Sequence, residues 1–358
     1  MRSSTHKFFR KTPTSSAKDN RQYGLLTQNI HPDSNKKLPT QPGSQTTTPI
    51  KKSSAPSKTF LLGEYIALFE GPALVLNSSP RFTLHITAYR NDADAHKPCA
   101  ACSHPFHPCS PAAQYIDAHM DIFSGLTLQF TDPHQGAGGL GASSAQFAMV
   151  LQFAQPKLSI AECIAAYRQQ HMRPPFLKHS DKKTRMPSGV DVAAQLLGHI
   201  ALIHVEAQRY QSFNWPFSDI YYCLIRTGQK IATHAHLSTL IPPKGHTLTT
   251  LNKIASQTIK YFLEQDAAAF CSGLQAYGDL LKSNGFITKK ALQLIKTVEQ
   301  HSGVLATKGC GALGADIVCA LVKAPHINEF SNWITSQGWS IVSADNQSSR
   351  GLLTTEKT

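Results

Sequence analysis

The sequence predicts an α+β fold in two domains, on three observations. Strand-like and helix-like stretches are mixed along the chain without the regular alternation that a doubly wound parallel sheet requires. The chain has 358 residues, 41% of them hydrophobic, which is enough for two cores. A Pro-containing stretch, Ser212 to Ser218, precedes three long helical runs and marks a boundary. The expected division is a basic tail over 1–57, a first domain over 58–215 and a second over 216–350.

Residues 1–57 are rich in Ser, Thr, Pro, Asn and Lys, with few large apolar side chains, and read as a disordered tail. Order is expected from Lys58. The apolar runs Phe60 to Leu62, Ile66 to Leu68 and Ala73 to Leu76, broken at Gly63 and at Gly71-Pro72, read as buried strands with tight turns. Phe82 to Tyr89 alternates as a half-exposed strand does, and Leu126 to Thr131 is a further strand. Helices are expected over Ala145 to Ala154 and Ile160 to Gln170, with Asp191 in the opening turn of another. Leu196 to Val205 and Ile220 to Arg226 are strand material. Helical patterns follow over Leu248 to Glu264, Asp266 to Lys282 and Lys289 to His301. The end reads as strand, helix, strand: Ile317 to Val322, Ile327 to Gln337, Trp339 to Ser343.

Charge narrows the function. The formal balance is +13, but residues 1–57 carry ten Lys or Arg against two Asp, so most of the excess lies in the tail. The remainder suits a protein that handles anionic small molecules. No helix-turn-helix, zinc finger or RNA-binding aromatic signature accompanies it, so no nucleic-acid partner is expected. No apolar run approaches the ~20 residues of a membrane span, and the basic N-terminus lacks the apolar core of a secretory signal. Eight scattered cysteines do not form a disulfide framework. A cytoplasmic protein with no membrane partner is the expectation; the oligomeric state is left open.

The stretch Gly136 to Ala145 carries the chemistry. Gly136, Gly138, Gly139 and Gly141 follow a strand and precede a helix. Dense glycine turns backbone N–H groups inward and a helix start leaves its first N–H groups unpaired, which together make an anion cradle suited to a polyphosphate. Ser143 and Ser144 lie in the first turn, where a hydroxyl can cap the helix or reach a Mg²⁺ held on phosphates. A glycine turn with a serine cap is the alternative. Cys99 and Cys102 have the spacing of a zinc hairpin, with His104, His107 and Cys109 able to complete a set. The prolines around them fit an irregular surface loop equally well, and one Cys-x-x-Cys lacks the second pair of a zinc ribbon.

Four segments in order resemble the GHMP small-molecule kinase superfamily: Ala55-Pro56-Ser57-Lys58 through Leu62-Gly63-Glu64-Tyr65; Gly139-Leu140-Gly141-Ala142-Ser143-Ser144-Ala145; Pro187-Ser188-Gly189-Val190-Asp191; and Lys308 to Asp316. The resemblance implies a first domain similar to ribosomal protein S5 domain 2 and a ferredoxin-like second domain, with ATP and an acceptor meeting between them. Tyr65, Asp191-Val192-Ala193, Arg226-Thr227-Gly228 and Asp316 resemble the phosphomevalonate kinases most. Ser57, Ala142, Leu313 and Ala315 depart from the superfamily pattern, and Ser180, beside Asp181, stands where mevalonate kinases carry a Mg²⁺-binding Glu.

By that likeness the activity is ATP-dependent transfer of a phosphoryl group to phosphomevalonate. A mevalonate kinase and a catalytically silent ligand-binding protein are the alternatives. Lys58 and Asp191 are the implied catalytic pair. Gly138, Gly139, Leu140, Gly141, Ala142, Ser143 and Ser144 would bind ATP, with Ser143 on Mg²⁺. Arg185, Ser188, Gly311 and Gly314 would meet the acceptor, and Lys182 and Lys183 add positive charge beside Arg185. Glu64 reads equally as a structural carboxylate or a nucleotide contact.

Overall fold

Two long antiparallel strands, β1 (Thr48–Leu62) and β2 (Ala73–Ala88), form the spine of the first sheet. The computed structural model describes residues 48–88, 102–171, 186–229 and 245–356, all within one unit, Gln45–Thr358. Burial along β2 shows how the spine is covered. Ala73 to Ser78 are buried without alternation, whereas Phe82, Leu84 and Ile86 are buried between half-buried neighbours. The first half is therefore covered on both faces and the second half on one. Accordingly β4 (Ile200–His204) pairs with the first half and β3 (Leu126–Thr131) with the second. β5 (Arg209–Phe213) lies beyond β4, and β10 (Leu353–Glu356) on the far side of β1, giving six strands.

Three expectations change here. β1 begins at Thr48, upstream of Lys58, because Lys51 to Ser54 pair with both β2 and β10. A run of Ser, Thr and Lys has no apolar alternation to announce a strand, yet backbone pairing on both sides makes one. Ile66 to Leu68 is not a strand but part of a 3₁₀ turn, Ile66–Phe69, between Tyr65 and Glu70, which take φ of 68° and 69°. Lys308 to Cys310, the start of the glycine-containing segment Lys308 to Asp316 for which no strand is expected, finish the strand β7 (Val304–Cys310), and the turn proper starts at Gly311.

Helices pack against the first sheet: α1 (Pro111–Ala118), the single turn α2 (Met120–Phe123), α3 (Ala142–Ala154), α4 (Ile160–Gln170) and α5 (Val190–Leu197). α3 is central, against α1, α5 and β1, and buries Phe147, Met149, Val150 and Leu151. Ser159 starts α4 with a reciprocal capping box to Glu162.

The second sheet is built from β6 (Ile220–Arg226), β7, β8 (Ile317–Lys323) and β9 (Ser340–Asp345), in the order β7-β8-β6-β9 with antiparallel neighbours. α6 (Gly245–Leu263), α7 (Ala267–Ser283) and α8 (Lys289–Val298) lie between β6 and β7, and α9 (Ile327–Ser336) between β8 and β9. Each helical connection returns the chain with one strand in between, the split βαβ pattern of a ferredoxin-like sheet. One hydrophobic cluster runs from Phe82 and Phe147 through Leu61, Leu62 and Tyr65 to Tyr277 and Phe330. After β9 the chain returns to the first sheet, where Arg81 donates to Ser54 O at 2.8 Å, Ser349 Oγ at 2.8 Å and Gly351 O at 2.7 Å.

Candidate functional site

Lys58 and Asp191 meet, with Nζ 3.2 Å from Oδ1. β1 carries Lys58 inward, 7% exposed, with Nζ 4.9 Å from the centre of the Phe60 ring. Asp191 sits in the first turn of α5, after Gly189, whose φ of 76° turns the chain into the helix. A carboxylate at a helix N-terminus is favoured by the helix dipole. The Lys58 side chain is 9% exposed and that of Asp191 32%, so the lysine is held from behind and the aspartate faces the open side.

The glycine cradle closes over the same lysine. The Lys58 N–H donates to Leu140 O at 3.0 Å, while the Leu140 side chain is buried in the core. Gly139 and Gly141 take φ of 86° and 88°; a Cβ on Gly141 would lie 2.7 Å from Lys58 Cγ, and one on Gly139 would strike Asp316. Only glycine fits either place. α3 starts at Ala142 with no side-chain cap on its first N–H groups. The hydroxyls divide: Ser144 is buried and donates to Gly141 O at 3.0 Å, whereas Ser143 is exposed. A helix start left open by its own side chains and fronted by glycine backbone fits a phosphate group. Of the two hydroxyls, Ser143 is the one available to a Mg²⁺ on such a group.

Gln195 holds these parts together. One turn after Asp191 and fully buried, its Nε2 donates to Pro56 O at 2.8 Å and to Gly141 O at 3.1 Å. The segment Lys308 to Asp316 closes the other side. Asp316, 6% exposed, lies against Gly139, and a Cβ on Gly311 would stand 2.5 Å from its Oδ2. Thr227, just past β6, donates its N–H to Asp316 O at 3.2 Å and its hydroxyl to Ala315 O.

Glu64 and Lys308 form a buried ion pair between β7 and the turn after β1, and Tyr277 donates to Glu64 O at 2.7 Å. Burial pushes the Glu64 carboxyl up and Lys308 pulls against it. Burial also works against the Lys308 charge, but Cys310 and Glu64 beside it leave its pKa above the ordinary lysine value. The pair, with the Lys308 side chain 0% and the Glu64 side chain 8% exposed, joins the two sheets.

Lys58, Asp191, Gly139, Gly141, Ser143 and Gly311 thus lie in one region, with Gly138 and Ala142 beside them in the cradle. Gly314 turns away, packed against Ile287. Ser188 Oγ accepts the Val190 N–H at 3.3 Å, and its carbonyl is held by Arg168 at 2.9 Å, so it shapes the entry to α5. Arg185, Lys182, Lys183, Ser180, Asp181 and Cys99 lie outside the described residues. Among the described residues no three metal-ligating side chains come together. His104 Nδ1 and His107 Nδ1 accept the N–H groups of Phe106 and Cys109 in local turns.

No protein-family model and no curated protein matches the sequence. Solved structures do match it in shape. A mevalonate kinase overlays with a TM-score of 0.60 at 14% identity, covering 84% of this chain and 99% of its own. The Lactococcus lactis galactokinase complexed with galactose gives 0.63 at 14% identity, over 86% and 95%. The chain has the fold of the GHMP kinases. A third structure with the GHMP-kinase fold, MDDEF in complex with MVAPP, AMPPCP and magnesium, gives 0.60 at 15% identity over 87% and 100%. This bears out the α+β expectation. Among the described residues no helix is long and apolar enough to cross a membrane.

Proposed function

We propose that the protein is an ATP-dependent small-molecule kinase, with phosphomevalonate as the acceptor. The observation that carries this reading is the contact of Lys58 with Asp191 at the mouth of the glycine cradle. Phosphoryl transfer asks a protein to position phosphates, neutralise charge and orient an oxygen, with little covalent work of its own. The cradle and the first N–H groups of α3 hold the polyphosphate. Lys58 stands between the cradle and Asp191, where it offsets charge on the transferring group. Asp191 orients the acceptor oxygen. Ser143 would hold Mg²⁺, which supplies charge neutralisation on the phosphates when bound.

The two acceptors in question make different demands on Asp191. A hydroxyl must lose its proton as the new bond forms, so with mevalonate the carboxylate acts as base. A phosphate oxygen is ionised at neutral pH, so with phosphomevalonate the pair positions it and shields its charge. A second reading, a ligand-binding protein without turnover, draws on Leu313 and Ala315, which stand where the resembled superfamily has glycine; Leu313 takes φ of 53° there. The intact contact between Lys58 and Asp191 weighs against it.

A coupled assay of ADP release with phosphomevalonate and with mevalonate separates the three. Faster turnover of phosphomevalonate is the expected outcome. Preference for mevalonate would make the protein a mevalonate kinase. ATP binding without acceptor-dependent ADP from either compound would leave the silent binder.

A further inference from the structure

Three side chains link the second sheet to the first beside the cradle, and the proposed transfer uses none of them. Arg226, the last residue of β6, donates through Nη2 to His134 Nδ1 at 2.9 Å. A guanidinium only donates, so Nδ1 holds the lone pair and the ring proton sits on Nε2. That proton goes to Ser57 Oγ, 2.6 Å away, and the Ser57 hydroxyl donates in turn to Pro80 O at 2.6 Å. Each group has one direction left to it, so the network assigns His134 its neutral tautomer. The ring is 5% exposed and meets Phe82 edge-on at 5.4 Å.

What this chain presents is a guanidinium. The bond to His134 is the only side-chain hydrogen bond of Arg226 among the described residues, and no carboxylate there forms an ion pair with it. The nearby Asp132 acts on Arg226 through its charge without a hydrogen bond to it: its Oδ1 accepts the His134 N–H at 2.8 Å and its Oδ2 the Gly136 N–H at 2.9 Å. A half-buried cation with most of its donors unmatched is suited to an anion that can meet them. Its neighbours say where that anion would be. Thr227, next in sequence, holds Asp316 O, and Asp316 touches both Gly139 and Gly311. Ser57 directly precedes Lys58 and stands where the resembled superfamily has glycine, so its hydroxyl is this chain's own addition.

We infer that Arg226 binds an oxyanion, phosphate or carboxylate, carried by the acceptor, and that His134 and Ser57 position it. The inference rests on the kinase reading for the identity of the acceptor. It does not rest on turnover, since an anion site binds whether or not transfer follows.

Calorimetric titration of the full-length protein without ATP, using phosphomevalonate and mevalonate, tests it. Arg226→Gln should weaken phosphomevalonate by about tenfold to a hundredfold, the usual loss of a charged hydrogen-bond partner, with ATP binding unchanged. Arg226→Lys should fall in between. Equal loss of mevalonate would identify the shared carboxylate as the anchored group, and loss of phosphomevalonate alone the phosphate. Unaltered binding in Arg226→Gln, an equal loss of ATP, or a wild type that binds neither compound would overturn the proposal. Failure of the coupled kinase assay with this binding intact would sink the kinase reading alone.

The positioning role has its own readout in pH. Burial, then the charge of Arg226, push His134 below the ordinary histidine value of about 6.5. The ring is therefore neutral above that value. Protonation at lower pH puts a proton on Nδ1 facing Arg226 and should weaken binding further. The groups facing the ring are Arg226 from β6, Ser57 from β1, Phe82 from β2 and Asp132 from its own loop. The difference between the pH profiles of wild type and His134→Gln reports the ring. Superimposable profiles would remove His134 from the assignment.

Discussion

Gln195 shows what a single residue can do that its sequence neighbourhood does not announce. Its amide ties α5, which carries Asp191, to Pro56 on β1 and to Gly141 in the cradle. Those partners are backbone carbonyls 139 and 54 residues away, so no spacing in the sequence points to them. Lys58 and Asp191, by contrast, were legible because each lies in a segment of recognisable pattern. His134 and Arg226 fall between these cases: both are visible as residues, but their contact depends on the two sheets meeting. Gln195→Met keeps the volume and removes both donors. Leaving a buried carbonyl unmatched costs about 1–3 kcal/mol, which urea unfolding should register together with a lower affinity for ATP. A variant as stable as wild type, with the same ATP affinity, would show that the cradle holds its shape without this residue.

Among the elements, the long helices α6, α7 and α8 and the strands β3, β6 and β8 fall close to where periodicity puts them. The misses have local causes. α1 has a start signal in Ser110-Pro111, with the serine hydroxyl accepting the Ala113 N–H at 3.2 Å, but its run is short and follows an irregular stretch. The 3₁₀ turn Ile66–Phe69 is as apolar as a strand, and only the left-handed residues at its ends distinguish it. The start of β1 is the largest difference, and it can be tested by truncation. A chain beginning at Gln45 keeps all of β1. One beginning at Lys58 loses the pairing of Lys51 to Ser54 with β10 and of Thr48 to Ala55 with β2, along with the Ser54 contacts of Arg81. At about 1 kcal/mol net for each lost hydrogen bond, the sum is comparable with the whole stability of a domain, about 5–15 kcal/mol. The shorter protein should fail to fold cooperatively while the longer keeps its Tm. Equal Tm values would mean that this part of the strand is ornamental.

At the scale of the molecule, the ferredoxin-like sheet is what the family resemblance implies, since periodicity leaves the strand β7 unread, and the seat of that sheet against the first has no sequence signal. That junction depends on pairs such as Glu64 with Lys308, 244 residues apart, and on the return of β10 to β1. Both lie beyond what periodicity can see. The candidate site is a product of the junction: β1, α3 and α5 bring Lys58, the cradle and Asp191, while Thr227 and Asp316 bring the second sheet against Gly139. The central claim is that this region transfers phosphate through Lys58 and Asp191. The measurement that tests it most directly is turnover of Asp191→Asn and Lys58→Met with saturating ATP and the acceptor that the wild type prefers, beside nucleotide binding by each variant. Turnover lower by about two orders of magnitude or more, with nucleotide still bound, is the result predicted; Asp191→Asn turning over as fast as wild type would contradict it.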